Sequence, residues 1–375
     1  MTGPIPLVNL KKQYASIKEE VDSEILRILS EGNFVLGKDV GEFEEAFAKF
    51  TGAKFCVGVN SGYDALLLTM RAFGIGPHDE VITVPNTFIA TVFPIVELGA
   101  KPVFVDIDPE NYQIDLEKLE KAITKKTKAI VPVHLFGIVG QMDRLMKIAK
   151  KHKLLVIEDA CQAHGSFYKG KHSGTFGNAG AFSFYPGKNL GAPGEMGAVV
   201  TNNKSVYDKL KIMRDVGQSK KYYHTMFGYN SRPDTIHCAV LKVKLKRLEK
   251  WNEQRREITS IYRKLLADLP IILPPEMDKD SIFNYHLFVI RTSRRDELLE
   301  FLKSKEVFCG IHYPVPVHLQ KALKDLKYKK GDFLITEKYA KEIISLPIFP
   351  EMEKNEVEYV SDLLHKFFKN EKQKK

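Results

Sequence analysis

The chain has 375 residues, 44% hydrophobic and 28% charged, which allows a large core in about two domains and excludes a disordered or fibrous chain. Its net charge is +10, but the basic runs 147–153 and 242–256 are broken by apolar residues at helical spacing and no finger, helix-turn-helix or RNP pattern accompanies them, which argues against nucleic acid as a partner. No apolar run approaches the ~20 residues of a membrane span, Met1–Pro6 lacks a signal-peptide pattern, and Cys56, Cys161, Cys238 and Cys309 form no C-x-x-C pair, so free thiols, no metal site and a cytoplasmic protein without a membrane partner are expected.

In chain order, Ile17, Val21, Ile25, Ile28 and Leu29 place one apolar stripe on a helix over 12–31 that Gly32 ends. A second amphipathic helix carries Phe43, Ala46, Phe47 and Phe50. From residue 55 short β-branched runs alternate with helical stretches: strands are predicted at 55–59, 80–84, 102–105, 129–133, 154–157, 181–184 and 197–201, with helices near 63–73, 88–98, 115–126 and 142–152. That alternation predicts an α/β fold with a mainly parallel seven-stranded sheet covered on both faces, whose functional groups gather at the carboxyl ends of the strands. A long charged helical stretch over 234–268 leads to the prolines 270, 274 and 275, which divide a large domain, 1–268, from a smaller α+β domain, 269–375. In the latter, 285–291 alternates like a half-buried strand, 294–305 and 354–369 are helical, and 311–318 is an extended loop; the basic tail 366–375 is expected to fray.

The motifs fall after predicted strands. Asn60-Ser61-Gly62-Tyr63-Asp64 opens a helix whose N-terminus suits a phosphate, Asn86-Thr87-Phe88 follows the second strand, and Glu158-Asp159-Ala160-Cys161-Gln162-Ala163-His164 follows the fifth. Lys188 sits in the Pro/Gly-bracketed turn Ser183–Gly191 directly after an apolar run, where poor solvation favours the free amine. The Gly-Lys pair is no phosphate loop, because Phe182 stands where its first glycine belongs and Asn189 where its Ser/Thr belongs. Taken singly, Lys188 reads as a surface lysine, Asp159 as a cap and Phe88 as core. Together they suit pyridoxal 5'-phosphate, which takes a lysine for its aldehyde, a carboxylate for its ring nitrogen, an aromatic face and phosphate donors.

Over nearly the whole length, through 9–14, 58–66, 158–164, 183–191, 197–202 and Gly228-Tyr229-Asn230-Ser231-Arg232, the sequence resembles the DegT/DnrJ/EryC1/StrS sugar aminotransferases of the aspartate-aminotransferase type I fold. The resemblance implies that Lys188 is the Schiff-base lysine, that Asp159 partners the pyridine nitrogen, that Phe88 stacks on the ring and that Gln162 bonds its phenolic oxygen. It implies phosphate binding by Ser61, Gly62, Tyr63 and Ser183, with Asn230 reaching the cofactor of a neighbouring subunit, hence a homodimer with shared active sites. Lysine at 188 differs from the histidine of the family's dehydratases. Three departures from the family pattern are His237-Cys238-Ala239, Glu195-Met196 and Pro233.

The activity implied is transfer of an amino group from L-glutamate to a nucleotide-linked ketosugar, with dTDP preferred over UDP as carrier. The segments 220–224 and 312–320 resemble members acting on 3-keto sugars, which gives C-3 of a 3-keto, 6-deoxy hexose as the site of amination and C-4 as the alternative. On that basis Lys221, Tyr222, His224, His312, Tyr313 and His318 are candidate substrate contacts. A type I fold enzyme acting on amino acids is the rival; it needs an arginine for the α-carboxylate, and Arg291 is a candidate. A binding or regulatory protein that keeps the fold is a second rival.

Overall fold

The computed structural model describes residues 3–369. The end of the basic tail, 370–375, and the first two residues lie outside the described residues. Seven strands, β1 (Phe55–Val59), β2 (Glu80–Thr83), β3 (Lys101–Phe104), β4 (Thr127–Ile130), β5 (Leu155–Asp159), β6 (Ala179–Ser183) and β7 (Gly197–Thr201), form one sheet. Its order is β1-β7-β6-β5-β4-β2-β3. The pairs from β3 through β6 are parallel, while β7 runs antiparallel to both β1 and β6. The α/β architecture and mainly parallel seven-stranded sheet are therefore as the alternation of strands and helices requires.

Strand periodicity decides which face each side chain joins. Val57, Val59, Ala179 and Ala181 pack with Leu66 and Leu68 of the helix Gly62–Ala72 and with Val206 and Leu210 of the helix Lys204–Arg214. Their neighbours Cys56, Phe182 and Phe184 turn to the opposite face, against Phe43 and Phe47 of the helix Lys38–Thr51 and Leu241 of the helix Thr235–Leu245. Both faces are thus sealed, and polar groups on the strands emerge only at the ends.

Four local expectations are corrected. The helix predicted over 88–98 is a three-residue turn, Ile89–Thr91, followed by a short helix, Phe93–Glu97, with Pro94 in its first turn. The stretch 234–268 is two helices, Thr235–Leu245 and Leu248–Leu266. The helix expected over 115–126 ends at Ala122. The strand near 285–291 covers only Phe288–Arg291 and is buried at every position, because it pairs with Ile343–Leu346 and lies in the largest core cluster. That cluster joins Ile82, Ile130 and Val156 of the sheet to Phe288, Leu302 and Leu364 of the C-terminal part. The N-terminal segment also crosses over: Ile5 N donates to Glu306 O and Phe308 N to Ile5 O, both at 2.9 Å.

Candidate active site

At the carboxyl ends of β1, β5 and β6 lies a cavity of about 690 Å³. Ser61, Gly62, Tyr63, Phe88, Asp159, Gln162, Ser183, Lys188, His312 and Tyr313 all line it. Eight of these ten come from the ends of β1, β2, β5 and β6 of one sheet and the segments that follow them, and closeness at its centre depends on one missing atom. A Cβ on Gly62 would stand 2.6 Å from Ser183 Cβ and 3.1 Å from Cys161 Sγ, so three strand ends meet there only because residue 62 is glycine. Ser61 caps the helix Gly62–Ala72, its side chain accepting from Asp64 N at 3.1 Å, which leaves the first helical N–H groups facing the cavity end.

Asp159 stands at the end of β5 and is 6% exposed. Its Oδ1 accepts from Cys161 N at 3.2 Å and its Oδ2 from Thr91 Oγ1 at 2.7 Å; Thr87 Oγ1 lies 2.7 Å from Thr91 Oγ1. Gln162 Oε1 accepts from Phe136 N at 2.7 Å, so its amide nitrogen is the end directed to the cavity, where Nε2 meets Tyr313 OH at 3.3 Å. Phe88 is half exposed and faces the Tyr313 ring, centroids 5.4 Å apart.

Lys188 is half-buried by surface area, yet enough protein surrounds its ammonium that desolvation lowers its pKa. Cys161, Asp159 and Glu195 oppose that shift without cancelling it. Burial also raises the Cys161 thiol, and it lowers the ring of His312 to about 4, with Lys188 adding to the effect. The adjacent Asn189 ties the lysine turn down: its Nδ2 donates to Asn252 Oδ1 at 2.8 Å and to Asn284 O at 3.2 Å, while its Oδ1 lies 3.0 Å from His286 Nδ1. An amide oxygen only accepts, which places the ring proton of His286 on Nδ1. Burial, then Lys188, holds that ring well below its usual pKa, so Nε2 of this cavity-lining residue is an unprotonated acceptor.

Five expected residues lie elsewhere. His318, expected as a substrate contact, is buried outside the cavity of its own chain, its Nε2 3.1 Å from Glu337 Oε1 and its ring against Phe333. Lys221, Tyr222, His224 and Asn230 are exposed and outside the cavity of their own chain. Conversely the sequence assigns no role to Thr91 or His286, nor to Thr87 and Asn189 within the motifs that contain them. A lone Thr, Asn or His in a loop carries no pattern, although Thr87 and Thr91, four apart after a strand end, offered a weak one.

The three departures from the family pattern meet in one place. Met196 Sδ lies 3.9 Å from Cys238 Sγ; a Cβ on Gly58 would stand 3.1 Å from Pro233 Cγ and 3.4 Å from Met196 Cε, and one on Gly194 2.7 Å from His237 Nε2. They lie near one another beside β1, and one of them, Glu195, stands on the cavity wall, where its charge opposes the lowering of the Lys188 pKa.

The residues fit pyridoxal phosphate. Helix N–H groups lie at the end that a Cβ at 62 would obstruct, a buried carboxylate and an amide donor lie at Asp159 and Gln162, an exposed ring lies at Phe88, and an amine with lowered pKa lies at Lys188. Among the described residues no helix is long and apolar enough to cross a membrane.

Residues 15–365 match the model of the DegT/DnrJ/EryC1/StrS aminotransferase family. A "pleiotropic regulatory protein" of Geobacillus stearothermophilus is 42% identical over 98% of this chain and 99% of its own. The dTDP-3-amino-3,6-dideoxy-alpha-D-galactopyranose transaminase of Aneurinibacillus thermoaerophilus is 42% identical over 97% of this chain and 99% of its own. Among solved structures, that of DesV from S. venezuelae in complex with a ketimine intermediate superposes with a TM-score of 0.95 at 41% identity, covering 98% of this chain and 99% of that one.

Proposed function

The chain belongs to the DegT/DnrJ/EryC1/StrS aminotransferase family, and from that premise we propose that it moves an amino group from L-glutamate to C-3 of a dTDP-linked 3-keto, 6-deoxy hexose. It is a pyridoxal-phosphate enzyme acting on nucleotide sugars. Amination at C-4 is the alternative. The name of the Aneurinibacillus relative supports both C-3 and dTDP. One observation carries the reading: Lys188, Asp159 and Gln162 converge on one cavity at the carboxyl ends of the strands.

Pyridoxal phosphate, when bound, supplies an exchangeable carbonyl and a ring that stabilises negative charge on the carbon losing its proton. The chain's own part is to place and protonate. Lys188 Nζ is the covalent anchor and, once free, the group that carries a proton between substrate and cofactor carbons; its lowered pKa keeps the amine form accessible. Asp159 would accept the ring N–H, and Gln162 Nε2, 3.3 Å from Tyr313 OH, would donate to the phenolic oxygen. Ser61, Gly62, Tyr63 and Ser183 would hold the phosphate at the helix N-terminus. Phe88 would cover one ring face, and His312 and Tyr313, which line the cavity, would contact the sugar. Exposure of Asn230, Lys221, Tyr222 and His224 away from their own cavity supports a homodimer in which they serve the neighbouring site. Arg291, the candidate for an α-carboxylate, stacks on the Tyr339 ring, 3.5 Å from its centroid, and faces Glu342 at 3.7 Å, outside the cavity.

Borohydride reduction and peptide mapping test the anchor, with a pyridoxyl adduct expected on Lys188 and none after Lys188→Ala, which also abolishes turnover. The pyridoxamine-loaded enzyme is then mixed with dTDP- and UDP-linked 3-keto and 4-keto hexoses. Return of the visible absorbance with the dTDP 3-keto sugar is expected. Return with a simple keto acid and with no sugar would overturn the sugar reading.

A further inference from the structure

Two buried hydroxyls beside the ring-nitrogen partner have no part in the account above. Thr91 Oγ1 donates to Asp159 Oδ2 at 2.7 Å and lies 2.7 Å from Thr87 Oγ1. Thr87 and Thr91 are 3% and 1% exposed, and both line the cavity. A hydroxyl carries a single proton, and that of Thr91 is committed to a carboxylate oxygen that can only accept. Thr87 must therefore donate to Thr91, and the chain runs one way, Thr87 to Thr91 to Asp159. Successive hydrogen bonds in a low-dielectric interior polarise one another in that direction.

Local structure makes the alignment possible. The three-residue turn Ile89–Thr91 brings residues 87 and 91 together at the rim, and the short helix Phe93–Glu97 begins just after it. With Cys161 N on Oδ1 and Thr91 on Oδ2, each oxygen of Asp159 has one protein donor, which fixes rotation of the carboxylate and leaves lone pairs for a ligand. β-Branching also restricts the threonine χ1 angle, so the donor is held in place before a ligand arrives.

We propose that Thr87 and Thr91 are a positioning relay that holds the Asp159 carboxylate at the angle at which it receives the ring N–H of pyridoxal phosphate. The proposal rests on Asp159 as the partner of the ring nitrogen. Neither threonine touches the reacting atoms; both act through Asp159.

The test measures the dissociation constant of pyridoxal phosphate, by visible absorbance, on the full-length protein and its Thr91→Val, Thr91→Ser, Thr87→Val and Asp159→Asn variants. The series is repeated with the 1-deaza analogue, whose ring has no nitrogen. Valine keeps the shape of threonine and removes the donor; serine keeps the donor. Thr91→Val is expected to weaken pyridoxal phosphate about tenfold, in line with loss of one hydrogen bond to a charged group. Thr87→Val weakens it about threefold, and Thr91→Ser stays within about twofold of wild type, as effects passed through one further bond and as donor rescue. With the deaza analogue, wild type, Thr91→Val and Thr87→Val bind alike. Equal losses for both ligands in Thr91→Val would make the residue a general support and overturn the relay. So would unchanged binding in Thr91→Val while Asp159→Asn loses affinity. If Asp159→Asn binds as wild type, the assignment of Asp159 falls and the relay with it. Should Thr91→Val not fold, Thr87→Val carries the same comparison of the two ligands.

Discussion

Gly62→Ala adds one methyl group where three strand ends converge. The new Cβ would meet Ser183 Cβ at 2.6 Å, whereas ordinary contact begins at 3.4 Å, so 3.4 − 2.6 = 0.8 Å of separation must come from backbone at the end of β1 or β6. Cys161 Sγ at 3.1 Å and Ser183 Cα at 3.2 Å close the nearest escapes. Alanine is the better helix former by about 1 kcal/mol, which favours the variant at this first helical position. Overpacking a rigid site costs about 1–3 kcal/mol and opposes it. The 0.8 Å overlap against backbone puts the steric cost in the upper part of its range, and a net loss of up to about 2 kcal/mol is expected from the two ranges together. Urea denaturation of the variant reads the stability loss, and titration with pyridoxal phosphate reads displacement of the donors, expected to weaken binding at least about fivefold if 1 kcal/mol of that strain falls on the bound state. Adding Ser183→Gly removes the clashing Cβ and should recover most of the stability. Wild-type stability in Gly62→Ala, or no recovery in the double variant, would refute the steric argument.

Other outcomes follow from single contacts. Because burial lowers the Lys188 pKa from 10.5, the folded cofactor-free protein binds fewer protons than the unfolded chain between the lowered value and 10.5, so stability rises with pH across that window; Lys244, pushed down to about 8, contributes likewise. Lys188→Met should flatten part of the rise when the urea midpoint is followed from about pH 7 to pH 10. Glu158 accepts from His134 Nε2 at 2.9 Å and from the N–H groups of Gly174 and Gly177, each at 2.7 Å. Glu158→Gln would turn an amide donor toward one of these donors, and a loss of about 3–5 kcal/mol is expected by chemical denaturation. Arg291→Lys should lower the melting temperature through the lost stacking on Tyr339 while leaving the KM for the proposed donor, L-glutamate, within about twofold, since Arg291 does not line the cavity.

Strand alternation made the large sheet legible, because each β-branched run from 55 to 201 is bounded by a turn and separated by a helix-length segment. The antiparallel insertion of β7 was not legible, since strand direction depends on the course of the connection after Lys188 and not on the composition of Gly197–Thr201. Lys188, Asp159 and Gln162 stood out as chemically specific residues after strand ends. Thr91 and Asn189 did not, as their parts exist only through partners 68 and 63 to 97 residues distant. His318 looked like a site residue because it shares a proline-rich loop with His312, yet the loop turns it toward Glu337 and Phe333.

Asn189 bears on how such enzymes can be recombined. The peptide that carries Lys188 is fastened to Asn252 on the helix Leu248–Leu266 and to Asn284 and His286 beyond the proline cluster. A chimera joined at residue 268 would keep Asn189 and Asn252 from one parent and take 284–286 from the other. Exchanging the C-terminal third to alter sugar preference therefore also exchanges two of the fastenings of Lys188. A crossover that respects the chemistry moves residues 189, 252, 284 and 286 as one set.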